Sequence, residues 1–397
     1  MNVLFVSPFP LGGTYRFSGI GNGLSKLGHN VSMLVIPPEF STIYRTIEQS
    51  VDSIGEVKVF YWPTYKFRTF GYRRVRRFST LANLVRKNDI AHLSKTLSFP
   101  GRMTYLCATL FRKHLVVDFD DWDGIGGFGS HPQFSFKERM WTTFLEEYIA
   151  RKASAVTVIS EVLRRRVLDM GVEENRVFFA GTGADTKFFD PATDGTSIRT
   201  KYGIGSDPLV VYMGSLLLSG VAWRQLIDTM FHLCKFIPKA KMLIVSPGGP
   251  ALPHMKRYIA ELNLGGSIIL ATEGHPRQEI PKFLAAADVL LNILSREYPD
   301  VLINMARSNT KMFEYASMKK PMVLTDIGEC RNCFEGAAML VKSDDPRDYA
   351  EAIMKLIEDK NLARSLAEEA RARMIERYDW NVIAKKVDKA YQYLKAK

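Results

Sequence analysis

Short runs of β-branched and apolar residues alternate with longer amphipathic stretches along most of the chain, a rhythm that predicts βα units on parallel sheets. In the first half, strands are expected at residues 3–7, 31–36, 57–61, 90–93, 115–119, 155–159 and 177–180. Apolar positions recur at helical spacing between them, over 20–27, 103–111, 138–152 and 161–170. The second half repeats the pattern, with strands at 209–213, 241–245, 267–271, 289–293, 322–325 and 338–341. One doubly wound α/β sheet per half is the economical architecture. Residues 190–207 collect Pro, Gly, Asp, Ser and Thr and lose hydrophobic periodicity, as a linker or hinge does. Residues 346–397 read as two or three consecutive helices. The expected organisation is a Rossmann-like domain over 1–195, a second over 205–378, and a C-terminal helix over 379–397 packing back on the first.

Length and composition agree with this division. A chain of 397 residues exceeds what one core serves, and 46% hydrophobic with 24% charged residues excludes a disordered chain. No apolar run approaches the ~20 residues of a membrane-spanning helix. The opening residues enter a strand without a basic leader, so a cytoplasmic protein is expected. Four scattered cysteines do not make a disulfide framework. Cys330 and Cys333 form a CxxC, but no second ligand pair accompanies it, and no metal is expected. The net charge of +12 points to a polyanionic partner: phosphates, anionic headgroups or nucleic acid.

Candidate chemistry gathers at the ends of the expected strands, where ligand crevices of open α/β sheets lie. Gly12 and Gly13 follow the first strand, where backbone N–H groups can approach a phosphate; tight-turn architecture explains them equally well. Gly19, Gly21 and Gly23 do not match dinucleotide-binding spacing. Asp118, Asp120, Asp121 and Asp123 crowd the end of the 115–119 strand. Crowded carboxylates raise one another's pKa, which suits proton handling or a grip on sugar hydroxyls; helix capping is the plainer alternative. Gly214 and Ser215 close the 209–213 strand, and a diphosphate fits the helix N-terminus beyond Gly220. Lys311 and Glu314 share a helix face, either as an ion pair or as a cation for phosphate and a carboxylate for a ribose. Residues 61–78 interleave aromatic and basic residues without an acid, a composition for an anionic membrane surface or for single-stranded nucleic acid, or for a solvated helix with a half-buried aromatic face.

Taken in order, these landmarks resemble the retaining, GT-B-fold glycosyltransferases of family 4 over nearly the whole chain. The first strand with its glycine pair and the Leu27-Gly28-His29 step resemble the family's opening. Val117-Asp118 with Asp121 resembles its acceptor-side strand end. Ser160-Glu161, Gly171-Val172, Gly183-Ala184-Asp185 and Phe189 with Pro191 are similar to its first-domain closing run. Gly214 with Gly220 resembles the donor-diphosphate strand and loop, and Gly274-His275 the position contacting the base. Asp288-Val289, Lys311 to Ala316 and Lys320-Pro321 match most closely.

The resemblance implies two Rossmann-like domains facing each other across a cleft that closes to exclude water. It implies transfer of a sugar from a nucleoside diphosphate sugar to a hydroxyl of a lipid-linked or glycan acceptor, without a metal. Asp121, or Asp120, serves the reacting sugar or acceptor, with Gly12, Gly13 and Asp118 on the acceptor side. Gly13, Gly214, Ser215, Ser219, Gly274, His275, Arg307, Lys311 and Glu314 serve the donor. A peripheral position on the inner membrane face through 61–78 is expected, and nucleic acid is not. Ser215 and Ser219 stand where the family usually has Arg and Lys, and Ala306 where it has the first Glu of a pair. Arg224, Arg296, Arg307, Lys311, Glu297 and Asp300 are the candidate compensations. A sugar-nucleotide 2-epimerase of the same architecture and a catalytically silent binding or partner protein are the alternatives.

Overall fold

The computed structural model describes residues 1–10, 13–37, 51–63, 70–96, 99–216 and 223–397, with backbone only at 70–73. Two compact units form. One comprises Met1–Thr182, Ala306–Ser308 and Trp380–Lys397; the other, Gly183–Met305 and Asn309–Asp379.

The first unit holds an eight-stranded sheet of β1 (Asn2–Val6), β2 (Asn30–Val35), β3 (Ser53–Ile54), β4 (Val57–Tyr61), β5 (Ile90–Leu93), β6 (His114–Phe119), β7 (Ala155–Val158) and β8 (Val177–Phe179). Its order is β3-β4-β2-β1-β5-β6-β7-β8. Every pairing is parallel except β3 with β4, a short antiparallel hairpin. Every expected strand is present. The addition is β3, too short to carry a periodicity.

Side-chain alternation sends Leu4 and Val6 to one face of β1 and Val3 and Phe5 to the other. Both faces are covered, which is why the strand reads as a continuous apolar run. Leu81, Cys107 and Ile149 pack on the first face. Ile20 and, from the far end of the chain, Ile383 and Tyr391 pack on the second.

The helix Tyr15–Lys26 meets the C-terminal helix Trp380–Lys395 unusually closely. A Cβ on Gly19 would lie 2.5 Å from the Trp380 ring, one on Gly23 2.5 Å from the Ala384 Cβ, and one on Gly21 2.8 Å from Val57 Cγ2. The three glycines therefore serve packing. Gly19→Ala, which adds about 1 kcal/mol of stability at an unconstrained helix site, should here cost about 1–3 kcal/mol through overpacking, read as a lowered urea midpoint.

The second unit holds a six-stranded parallel sheet of β9 (Leu209–Met213), β10 (Lys241–Val245), β11 (Ile268–Ala271), β12 (Val289–Asn292), β13 (Met322–Thr325) and β14 (Met339–Val341), ordered β11-β10-β9-β12-β13-β14. The order reverses between β9 and β12, so the crevice beyond the end of β9 is where such a sheet takes a ligand. The units divide at Thr182 and Gly183, upstream of the apolar-poor stretch at 190–207. That stretch is a strap on the second unit. A Cβ on Gly195 would lie 2.2 Å from Ala286 N, and Arg199 donates to Ala286 O at 2.9 Å and Asp288 Oδ2 at 2.8 Å. The C-terminal segment forms helices Pro346–Glu358, Lys360–Arg373 and Trp380–Lys395.

Candidate functional site

In the first unit, β5, β6 and β7 are parallel neighbours and bring a row of polar groups together inside the sheet. Asp118, on β6, is fully buried and held in a two-pronged ion pair by Arg16, with Nε to Oδ2 at 2.7 Å and Nη2 to Oδ1 at 2.9 Å. Thr157 on β7 donates to Asp118 Oδ1 at 2.6 Å. Burial pushes the Asp118 carboxyl up, but Arg16, with help from its other polar neighbours such as Thr157, holds it below the ordinary carboxylate range. His92, on β5, lies 3.4 Å from Thr157 Oγ1 through Nε2 and 2.7 Å from the Tyr391 hydroxyl through Nδ1. Burial lowers its pKa to about 4, with Arg16 adding to the effect against Asp118, so the imidazole is neutral at physiological pH.

The remaining carboxylates converge on Lys95, which follows β5. Its Nζ is 2.8 Å from Asp121 Oδ2, 3.0 Å from Asp120 Oδ1 and 3.4 Å from Asp123 Oδ1. These charges overcome burial and hold the ammonium well above its ordinary pKa. Burial pushes the Asp120 carboxyl up against Lys95, and Asp121 and Asp118 reinforce it, bringing it to about 7. Burial likewise raises Asp123. Glu146, buried on the helix Phe136–Lys152, accepts the N–H groups of Asp123 at 2.9 Å and Gly124 at 3.1 Å and so fixes the loop. Burial, with the Asp123 charge, brings Glu146 to about 7. Beside the cluster lies a largely apolar pocket of about 300 Å³, lined by Phe9, Phe128, Phe134 and Thr142 together with Lys95, Asp121 and Asp123. Gly13 lies exposed in the turn after β1, and a Cβ there would meet Phe9 Cβ at 2.9 Å. Gly12 lies outside the described residues.

In the second unit, Gly214 follows β9, its N–H donating to Val245 O at 3.0 Å. A Cβ there would lie 2.5 Å from Lys311 Nζ and 3.0 Å from the Tyr212 hydroxyl, so glycine lets the lysine reach the strand end. Lys311 Nζ donates to the Tyr212 hydroxyl at 3.2 Å and lies 4.5 Å from that ring's centre. Ser215 follows Gly214, half-buried, and Ser219 lies outside the described residues. Glu314 is buried on the helix Thr310–Ser317 and accepts from Arg277 Nη2 at 2.8 Å. Gly274 follows β11 with φ of 79°, a value that favours glycine. His275 packs on Phe283 at 4.5 Å, with Nε2 3.4 Å from Glu273 and Nδ1 3.4 Å from Glu279.

Arg307 is grouped with the first unit, apart from Lys311 and Glu314. Arg296 donates to Ser343 O, Val341 O, Asp326 O and Asp344, which occupies its guanidinium in structural bonds. Arg224 is exposed, 4.8 Å from the Trp223 ring centre. Glu297 is exposed and Asp300 opens the helix Asp300–Ala306. Cys330 and Cys333 are buried, their sulfurs 3.6 Å from Met312 Sδ and Glu329 Oε2 respectively.

Sequence reasoning missed Arg16, His92, Lys95, Glu146 and Arg277. Lys95 had a signal, since it follows the expected strand next in sequence before the aspartate-rich one, and so did His92, polar in an otherwise apolar strand. Arg16, Glu146 and Arg277 had none, because each lies on a helix or turn whose own sequence does not point to its partner.

Residues 12–183 match the family model described as a glycosyl transferase 4-like domain, and residues 250–388 match one described as glycosyl transferase-like. A curated relative, MMP alpha-(1->4)-mannosyltransferase of Mycolicibacterium hassiacum, is 24% identical over 258 residues, 64% of this chain and 58% of that protein. The alignment thus spans less than two thirds of the relative. Among solved structures, Anabaena HepE in complex with UDP and glucose superposes with a TM-score of 0.74 at 16% identity, covering 99% of each chain. Sucrose-phosphate synthase from Thermosynechococcus elongatus gives 0.74 at 16% identity, covering 100% of this chain and 99% of that one.

Proposed function

We propose, from the premise that this chain is a glycosyltransferase of the family 4 type with a GT-B fold, that it moves a sugar, with retention, from a nucleoside diphosphate sugar to a hydroxyl of a lipid-linked acceptor. The observation that carries the donor half is the end of β9, where Gly214 leaves room for Lys311 and Glu314 lies one helical turn further on. In this reading Lys311 and the backbone at Gly214 and Ser215 meet the diphosphate, with Ser219 as a further donor. Glu314 takes ribose hydroxyls, exchanging its bond to Arg277 for them, and Gly274 and His275 border the base. The UDP in the Anabaena structure and the mannosyl transfer named for the curated relative support a nucleotide-sugar donor.

The departing diphosphate gathers negative charge, and preorganised cations and N–H groups stabilise it without requiring a metal ion. Arg307 is the remaining cation assigned to the donor. On the acceptor side, Asp121 and Asp120 hold the hydroxyl that attacks, or a hydroxyl of the reacting sugar. The proton of the attacking hydroxyl passes to a leaving phosphate oxygen. The apolar walls of the pocket beside Lys95 suit the first part of a lipid-linked acceptor.

A thermal-shift screen over nucleoside diphosphates and their sugars tests the donor half. A true donor at about 100 times its dissociation constant should add ~2.7 kcal/mol to stability. Glu314→Ala should weaken that donor at least tenfold, and equal affinity in the variant would remove the ribose contact. Product analysis settles the reaction class, since release of nucleoside diphosphate only with acceptor present is transfer, whereas an isomerised sugar without such release is epimerisation.

A further inference from the structure

The helix Phe136–Lys152 is apolar on two sides. Leu145, Ile149 and Ala150 face the core, while Phe136, Trp141, Phe144 and Met140 are 75%, 53%, 49% and 48% exposed. A surface helix of a globular protein normally shows water a polar face. The exposed rings are ordered among themselves. Trp141 stacks on Phe144 at 5.7 Å, Phe144 on Tyr148 at 5.7 Å, and Tyr148 meets Tyr105 of the helix Phe99–Leu110 edge-on at 5.7 Å. This ladder joins two helices, and Leu106 and Leu110 on the second are 47% and 63% exposed. The helix Phe70–Lys87 packs against Phe99–Leu110 in turn. It carries Arg73, Arg74, Arg76, Arg77, Arg86 and Lys87 and no acid, with the exposed Val75 between exposed Arg74 and Arg76.

We propose that this three-helix face docks on an anionic membrane, with Phe136, Trp141 and Phe144 entering the headgroup region and the basic helix holding lipid phosphates. The inference rests on the lipid-linked-acceptor reading and adds the surface that presents the enzyme to its acceptor. Charge complementarity selects the occupant. Of the three acids of Phe136–Lys152, Glu146 is buried, Glu147 lies 2.8 Å from Arg166, and Glu138 stays exposed in a capping box with Ser135, against Lys137, Arg139, Arg151 and Lys152 on the same helix. Basic residues thus dominate the face, as an anionic leaflet requires. Trp and Phe beside Arg are the residue types that settle at a bilayer interface. Position points the same way, because Phe134 and Thr142, within two residues of Phe136 and Trp141 in the chain, line the pocket that holds Asp121. A lipid seated on the ladder lies beside the proposed acceptor site. The 61–78 segment of the sequence reading enters here through the helix Phe70–Lys87, while 64–69 lie outside the described residues.

Co-sedimentation with phosphatidylcholine vesicles, with and without phosphatidylglycerol, in the absence of donor and acceptor, tests the docking. Wild type should pellet with the mixed vesicles at low salt and hardly with phosphatidylcholine alone. Arg74→Ser with Arg76→Ser should weaken binding about thirtyfold. Phe136→Ser, Trp141→Ser and Phe144→Ser together should weaken it at least tenfold and abolish whatever binding survives high salt. The difference in fluorescence between wild type and Trp141→Phe should shift to the blue on binding. Equal binding to both vesicle types, no binding, or a Trp141 signal unchanged on the vesicle would overturn the proposal. So would a dimer in solution that buries Trp141. Transfer to a water-soluble acceptor is assayed in parallel: transfer with no vesicle binding ends the docking proposal alone, and vesicle binding with no transfer to any acceptor ends the enzymatic reading alone.

Discussion

Replacing Arg16 with Met should destabilise the protein by about 3–5 kcal/mol, measured by urea unfolding at neutral pH. The methionine preserves much of the packing volume but leaves the Asp118 carboxylate buried at 1% exposure without its cation. Thr157 remains as a donor, but a neutral hydrogen bond does not repay the desolvation of a charge. The pH dependence identifies the cause. In the wild type the native carboxyl ionises below its unfolded value, so its contribution is present above the ordinary carboxylate pKa and is lost as pH falls through the native one. In the variant Asp118 takes up a proton on folding. The gap between variant and wild type should therefore shrink as pH is lowered toward 4. A gap that does not change with pH would show a packing defect instead. Asp118→Asn with Arg16→Met, which removes both charges, should recover part of the loss.

Asp121→Asn should lower turnover by about 10- to 100-fold with donor affinity nearly unchanged, the scale of one hydrogen bond to a charged group made in the transition state. The fold should tolerate it, because Lys95 keeps Asp120 at 3.0 Å and Asp123 at 3.4 Å. A shift in the pH profile separates a role at the reacting groups from a structural one. Asp120 ionises at about 7, and Asp121 is one of the charges that raise it. If the ionised Asp120 grips the reacting hydroxyl, wild-type turnover falls as pH drops through about 7. Removing the Asp121 charge lowers that midpoint, so the acid limb of the variant should move to lower pH. Unchanged turnover and an unmoved limb would return Asp120 and Asp121 to loop architecture held by Lys95.

Local pattern decided a great deal. Residues 3–6, Val-Leu-Phe-Val, are a strand buried on both faces because no residue among them is polar, and the same logic placed β9, β10, β12 and β13. Parallel strands put Asp118 to Asp123 at a carboxyl edge, so the candidate region was legible before any side chain was placed. The division into two sheets followed from the repeat of the rhythm, while the seam did not, because loss of periodicity marks a strap as readily as a hinge.

What each acidic residue does was not legible, because spacing along the chain says nothing about a partner far along it. Asp118 and Asp121 are three residues apart, yet one is neutralised by Arg16 inside the sheet and the other lies at a pocket beside Lys95. Glu314 and Lys311 share a helix face as their spacing required, but Glu314 binds Arg277 from the turn after β11. Gly19 and Gly23 did not fit dinucleotide-binding spacing, and their use became clear only where Trp380 and Ala384 arrive from the other end of the chain. Periodicity and turn chemistry are set by neighbours in sequence, so the sequence by itself determined the elements, their parallel arrangement and the edge where chemistry gathers. Burial and charge pairing depend on residues brought together from tens to hundreds of positions apart, so only the tertiary structure decided which carboxylate is locked by Arg16, which are raised by burial and which line a pocket.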